Sequence, residues 1–357
     1  MDFAVIGLAQ SGKTTLFDAL TRGHARAATY GQGVEPNIGV VKVPDQRLDD
    51  LCALIKSRKV TPIDLRYLDF PGGFSGKGDA PAAREVASLA QCDALVHVVR
   101  AFGEDADPER DIAAMNLELT FADAAVLERR HEKLEITVRS ARAGEREPGE
   151  RELALIARLR AALDREEPIR SQELTSDEQR SLSGYQLLTN KPVLLVLNIG
   201  EADAARAADI GAKYASRHGG PGIEVVAVCA KLEQELGELS DEEAVEFRQQ
   251  LGLGEAPPGV DRLVQLSQQV LGLITFFTIG EQEGRAWALP AGQNALDAAG
   301  KIHTDIARGF IRCEVVRWQE LLDCGSYAEA RKRGLLRTEG KQYVVEDGDV
   351  LHVLFNV

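Results

Sequence analysis

Residues 3–6 form a short apolar run closed by Gly7, and from residue 14 to 21 apolar side chains return at helical spacing (Leu16, Phe17, Ala19, Leu20). The opening therefore reads as strand, loop and helix. Further near-continuous apolar runs occupy residues 63–68, 94–99, 193–197 and 223–228, separated by helical or polar stretches. Runs of this kind suit the strands of a parallel sheet covered on both faces. Between the third and fourth of these five runs the texture changes. Arg129, Arg130, Glu132, Lys133 and Glu135 alternate in sign, and Leu153, Ile156, Leu159 and Leu163 recur at helical spacing. With Gly144, Pro148 and Gly149 breaking the pattern, residues 121–188 read as an inserted helical hairpin whose mixed charges face solvent.

A third texture follows Ala256, Pro257, Pro258 and Gly259 and one more helix over 262–271. Strands are expected at 275–279, 286–289, 310–316, 343–345 and 350–355, with a single helix over 294–308, which together suggest a small β-grasp-like module. The expected division is a discontinuous α/β nucleotide-binding domain over 1–120 and 189–272, the hairpin at 121–188, and the β-grasp module at 273–357. No internal repeat or low-complexity tract interrupts it.

Composition narrows the class. With 42 Lys+Arg against 56 Asp+Glu, the 357-residue chain carries a net charge of −14, which excludes binding to nucleic acid through bulk positive charge. Aromatic residues make up only 5%, so the core must rest on Leu, Val, Ile and Ala, as α/β folds do. Cys52, Cys92, Cys229, Cys313 and Cys324 are scattered and never form a C-x-x-C pair, which argues against a disulfide framework or structural zinc and for a reducing compartment. The first apolar stretch lacks the basic leader and length of a signal peptide, and no run approaches the roughly 18 residues of a membrane span. A cytoplasmic protein with no membrane partner is expected.

The strongest chemical signal is Gly7-Leu8-Ala9-Gln10-Ser11-Gly12-Lys13-Thr14, a full G-x-x-x-x-G-K-[ST] match between a predicted strand and a predicted helix. Its glycines let backbone N–H groups wrap a phosphate at the positive end of the helix dipole. In this reading Gln10, Ser11, Gly12 and Thr15 belong to the cradle, Lys13 pairs with the β- and γ-phosphates, and Thr14 offers its hydroxyl to Mg²⁺. A carboxylate at a neighbouring strand end should complete the magnesium shell through water; Asp69, followed by Phe70-Pro71-Gly72, fits as Asp-x-x-Gly. Taken alone Asp69 also suits a turn. Base recognition is expected from Asn198-Ile199-Gly200-Glu201 and Cys229-Ala230-Lys231, each after a predicted strand. A guanine site would show Asn-Lys-x-Asp. Here Ile199 replaces the Lys and the longer Glu201 replaces the Asp, which would misplace the carboxylate, so tight guanine selection is not expected, and an adenine could be held by Asn198 and backbone carbonyls, with GTP as the alternative. Asn198 as a simple strand-end turn residue is the plainer alternative.

Beyond these motifs, the chain resembles the YchF family, or Obg-like ATPases, in the translation-factor class of P-loop proteins. The resemblance spans nearly the whole chain. It rests on the phosphate loop, on Val34-Glu35-Pro36-Asn37-Ile38-Gly39, on Cys92-Asp93-Ala94 with His97-Val98-Val99-Arg100, and on Asn198-Ile199-Gly200-Glu201. It also rests on Arg285-Ala286-Trp287, the run Ala299 to Asp305, Gly309-Phe310-Ile311-Arg312, and Glu346-Asp347-Gly348-Asp349-Val350. It implies a G domain interrupted by a helical hairpin, a C-terminal TGS domain of β-grasp type, Mg²⁺-dependent ATP binding with slow hydrolysis, and association with the ribosome and its RNA; no DNA partner is expected.

Three departures from the family pattern bear on catalysis. Where the family carries a Thr that joins the Mg²⁺ shell, this chain has Gly33, and after Asp69 the family's Asp-x-Ala-Gly-Leu is altered by Pro71, Gly73 and Phe74. The loop over 101–108 is short and lacks the histidine that family members carry. No catalytic residue is assigned, and the expectation is a weak nucleoside triphosphatase, with a nucleotide-holding regulatory protein or a guanine-specific GTPase as the alternatives.

Two histidines and one basic cluster remain. His97 and His303 have no partner at ligand spacing, and His97, inside an apolar strand, reads as a core histidine. Arg331, Lys332 and Arg333, with Arg337 and Lys341, form either an RNA-facing patch or a solvated basic turn.

Overall fold

The computed structural model describes residues 1–23, 36–70, 83–142, 146–253 and 257–356. In chain order the strands are β1 (Asp2–Ile6), β2 (Asn37–Lys42), β3 (Val60–Thr61), β4 (Asp64–Asp69), β5 (Ala94–Ala101), β6 (Val193–Ile199), β7 (Ile223–Val228), β8 (Leu273–Ile279), β9 (Gly284–Pro290), β10 (Phe310–Arg317), β11 (Arg337–Glu339) and β12 (Asp349–Phe355). The helices are α1 (Lys13–Thr21), α2 (Gln46–Ile55), α3 (Ala83–Ala90), α4 (Pro108–Ser140), α5 (Arg146–Leu163), α6 (Ser176–Leu182), α7 (Ala207–His218), α8 (Ala230–Gly237), α9 (Asp241–Gln250), α10 (Gly259–Val270), α11 (Ala295–Ile302), α12 (Thr304–Arg308), α13 (Trp318–Cys324) and α14 (Tyr327–Lys332). They form two compact units, Met1–Val40 with Arg66–Leu263 and Val41–Leu65 with Val264–Val357.

In the first unit a sheet runs in the order β2-β4-β1-β5-β6-β7. β1 pairs in parallel with β4 and β5, and β5, β6 and β7 continue in parallel. The apolar runs read from the sequence supply its central strands: β6 is buried along its whole length, as expected of a strand covered on both faces. Leu95, Val193, Met115 and Leu119 join one core cluster, and Leu195, Leu197, Ala227 and Ile112 another.

The inserted hairpin begins earlier than its sequence texture suggests. α4 is a single 33-residue helix capped by Asp107, with Pro108 in its first turn; Ile112, Met115 and Leu119 pack within the sheet domain's core before the helix leaves it. Farther along, Leu127 and Leu134 pack with Leu155, Ile156, Leu159 and Leu163 of α5. Pro148 and Gly149 do not separate the helices but lie in the first turn and a half of α5. Proline needs no amide partner there, and Gly149 lets α5 approach α4, since a Cβ at that position would collide with Val138. Several hairpin charges bridge elements: Arg130 reaches Glu152 at 2.7 Å and Arg158 reaches Glu178 at 2.8 Å. These half-exposed pairs contribute little stability each.

In the second unit the sheet order is β11-β10-β12-β8-β9-β3. β8 and β9 form an antiparallel pair, β10 and β12 another, and β12 joins β8 in parallel. This cross-over between two hairpins is the β-grasp arrangement. Ala295, Ala298 and Ala299 of α11 pack with Phe276, Leu289, Val315 and Leu351. The expected helix over 294–308 is broken at His303, whose extended backbone (φ −165°) ends α11 and whose Nδ1 accepts from the Asp305 amide at 3.2 Å to cap α12. Residues 343–345 do not form a strand; Val344 makes one isolated bridge to Asn294, and the sheet edge is β11 instead.

The boundary of this unit differs most from expectation. The sequence places residues 41–65 in the nucleotide-binding domain, whereas in the structure they group with the C-terminal unit. Their short strand explains it: Val60 and Thr61 pair with Gly284 and Arg285, adding β3 to the edge of the second sheet. α2 buries Leu48, Leu51 and Cys52, and a Cβ at Gly284 would overlap the Cys52 thiol. Arg47 donates to Asp45 at 2.9 and 2.7 Å and to Asp347 at 2.6 Å, with its guanidinium 5.3 Å from the Phe277 ring centre. All five cysteines are buried free thiols.

Candidate functional site

The turn after β1 is built from unusual backbone angles. Gly7 has φ 155°, and a Cβ there would overlap the Val98 carbonyl oxygen of β5, so this position requires glycine. Gln10 (φ 62°) and Gly12 (φ 87°) are left-handed, and the chain enters α1 directly after Gly12, with no side chain capping the helix and no acidic residue in its first turn. An uncapped helix start preceded by successive turn amides is an anion-binding geometry.

Lys13 bends back over this turn. Its ammonium donates to the carbonyls of Gly7 (3.0 Å) and Leu8 (2.9 Å). Burial pushes its pKa down while the nearby Asp69 charge pulls it up. Thr14 donates its hydroxyl to Asp69 Oδ2 at 3.3 Å. Asp69 is 3% exposed, and burial pushes its pKa up; hydrogen bonds from Asn37 and Thr14 and the Lys13 charge oppose that shift. The Ser11 hydroxyl is buried and has no hydrogen-bond partner, as a polar group in an anion cradle can be. The residues thus fit phosphate with magnesium. Thr14 and Asp69 bring hard oxygen donors together at the helix start, and among the described residues no group of three or more His, Cys, Asp or Glu forms a cage for another metal. Magnesium ordinarily takes one or two protein oxygens beside substrate phosphates and water.

The second loop set lies at the ends of β6 and β7. Asn198, 5% exposed, donates from Nδ2 to the Ser11 carbonyl at 3.0 Å and accepts at Oδ1 from the Ala230 amide at 3.1 Å. It therefore ties the phosphate loop to the start of α8. Gly12 is packed against that amide so closely that a Cβ would fall on Asn198 Nδ2. Sequence reasoning assigned Asn198 to the base or to a turn and missed this tether, because the partners lie 187 and 32 residues away. Glu201 is exposed and paired with Lys231 at 2.7 Å, joining the two expected base loops. Ile199 turns into the core beside Cys229, so its side chain faces no ligand. Thr15 follows Thr14 in the first turn of α1. Gly72 and Gly33 lie outside the described residues.

His97 is fully buried in β5 with an unpartnered Nε2, and burial, aided by the charges of Arg170 and Lys13, pushes its pKa down to about 3. It is a neutral core histidine. In the basic cluster Arg331 pairs with Glu314 at 2.7 Å and Arg333 with Glu329 at 2.9 Å.

Sheet order, glycine turn, lysine and the hydroxyl–carboxylate pair define a P-loop α/β protein of the G-domain class carrying a helical insertion and a β-grasp unit. Two family models match: one described as "50S ribosome-binding GTPase" over residues 2–139, and YchF-GTPase_C, described as "Protein of unknown function (DUF933)", over 273–356. The chain is similar to the "Ribosome-binding ATPase YchF" of Bacillus subtilis (40% identical, covering 99% of this chain and 98% of that one) and to that of Escherichia coli O157:H7 (35%, 99% and 98%). The solved Schizosaccharomyces pombe YchF GTPase superposes with a TM-score of 0.85 at 29% identity, covering 99% of this chain and 97% of that one. The chain belongs to the YchF family. No helix among the described residues is long and apolar enough to cross a membrane.

Proposed function

We propose that the chain is a cytoplasmic, ribosome-associated switch that binds ATP with Mg²⁺ in preference to GTP and hydrolyses it slowly. The observation that carries the reading is the uncapped start of α1, with Lys13 folded over the loop and Thr14 joined to Asp69 at 3.3 Å. Lys13 would exchange its two carbonyl bonds for phosphate oxygens, and Thr14 and Asp69 would hold the metal. Bound Mg²⁺ supplies neutralisation of charge on the β- and γ-phosphates. Preference for adenine is supported by Glu201, whose carboxylate is engaged by Lys231 where a guanine site needs a free aspartate. Association with the ribosome is supported by the printed names of the relatives and by the ribosome-binding GTPase family match.

Slow turnover is supported by the short segment between β5 and α4. Two of its three carboxylates are engaged within the fold, Asp105 by Arg100 at 3.1 Å and Asp107 as the cap that accepts from the Arg110 amide at 3.1 Å, and only the exposed Glu104 is left to orient an attacking water. A protein that holds nucleotide without turning it over is therefore the second reading. Single-turnover reaction of the purified chain with Mg²⁺-ATP separates the two. Phosphate release above buffer supports the enzyme, and tight binding with no release supports the holder. Co-sedimentation with ribosomes at two salt concentrations tests the partner, since a contact to RNA phosphates should weaken as salt rises.

A further inference from the structure

Asn37 belongs to the Glu35-Pro36-Asn37 run that marked the family resemblance, yet neither the phosphate loop nor the base loops give it a task. It opens β2, which lies beside β4 in the sheet, and its side-chain amide donates to the carboxylate of Asp69 at the end of β4. That same carboxylate accepts the Thr14 hydroxyl. Gly39 shows how the strand reaches this position. A Cβ there would overlap Thr21 Cγ2 and approach the Phe17 ring to 3.3 Å, so β2 lies close against α1. Residues two apart on a strand share a face, so Asn37 is on the α1 side with Gly39, while Val40 on the other face is 59% exposed.

Thr14 and Asp69 are the side-chain oxygens assigned to the metal among the described residues. A carboxylate at a strand end can rotate about two bonds, and one hydroxyl donor on one oxygen leaves its plane poorly fixed. A second donor from the neighbouring strand fixes it.

We propose that Asn37 is a positioning residue that holds the Asp69 carboxylate in place for the magnesium of the bound Mg²⁺–nucleotide. The inference rests on the nucleotide reading above and adds a residue to it. In full-length protein, Asn37→Leu removes the donor at similar volume, and Asn37→Ser retains a shorter one. Mg²⁺ titrated against a fluorescent ATP analogue gives the metal concentration for half-maximal binding, and the same analogue in EDTA gives the metal-free affinity. The Leu variant should need about tenfold more Mg²⁺, with the Ser variant between it and the wild type, while metal-free affinity stays within about twofold. Half-saturation within twofold of wild type in the Leu variant overturns the proposal. So does an equal loss of metal-free affinity, which would mark a merely structural role. A wild-type chain that binds no nucleotide in either condition overturns the functional reading itself, and is seen before any variant is made.

Discussion

Asn198→Ala is the perturbation whose size the structure sets most closely. The amide is 5% exposed and spans two loops through bonds of 3.0 Å to the Ser11 carbonyl and 3.1 Å from the Ala230 amide. Each bond contributes about 1 kcal/mol net, and each buried partner left unsatisfied costs about 1–3 kcal/mol, so the variant should lose about 2–4 kcal/mol of stability in the first unit. Asn198→Asp keeps an acceptor for Ala230 but turns an oxygen toward the Ser11 carbonyl, so it should lose stability as well. The assay can separate the units because both tryptophans, Trp287 and Trp318, lie in the second. Urea unfolding followed by far-UV circular dichroism reports both units, and tryptophan fluorescence reports the second. The dichroism transition should move to lower urea, and ATP affinity should fall about tenfold as the phosphate loop loses its tether. A dichroism transition superimposed on that of wild type would refute the reasoning, since a tether of that kind cannot be removed without cost.

Other consequences follow from the buried groups and the second unit. His97 has a folded pKa of about 3 against 6.5 for the free side chain, so the unfolded chain takes up the proton first. Its contribution is present above pH 6.5 and is lost as pH falls toward 3, about 2 kcal/mol at pH 5. His97→Leu should remove that part of the acid sensitivity, read as unfolding midpoints at pH 5 and pH 8; an unchanged difference between them would contradict it. Arg47→Ala breaks the bonds to Asp45 and Asp347 and the contact with Phe277, and should destabilise the second unit by about 1–3 kcal/mol, visible in tryptophan fluorescence. An unmoved fluorescence transition would mean that residues 41–65 are held by β3 and the α2 core alone.

What could be read from the sequence was local. The phosphate loop declares itself because Gly7, Gly12, Lys13 and Thr14 act within eight residues, and β4, β5 and β6 show as apolar runs because both faces of the sheet are covered. What could not be read depends on partners distant in the chain. β3 is two residues long and exists because Val60 and Thr61 meet Gly284 and Arg285, so nothing local marks residues 41–65 as part of the second unit. Asn37 looks like a strand-start residue until β4 brings Asp69 beside it. Asn198 lies at the expected place, but its tether to Ser11 comes from folding. The break at His303 was hidden because Ile302 and Ile306 keep helical spacing across it and pack in the same core.

The central claim is that the loop from Gly7 to Thr14 holds the phosphates of an adenine nucleotide with Mg²⁺. Calorimetric titration of the full chain with ATP in the presence of Mg²⁺, repeated for Lys13→Ala and with GTP, tests it most directly. ATP should bind saturably and more tightly than GTP, and Lys13→Ala should lose about a hundredfold or more in affinity, because its charge-assisted phosphate contacts are gone. Equal ATP affinity in wild type and Lys13→Ala would contradict it.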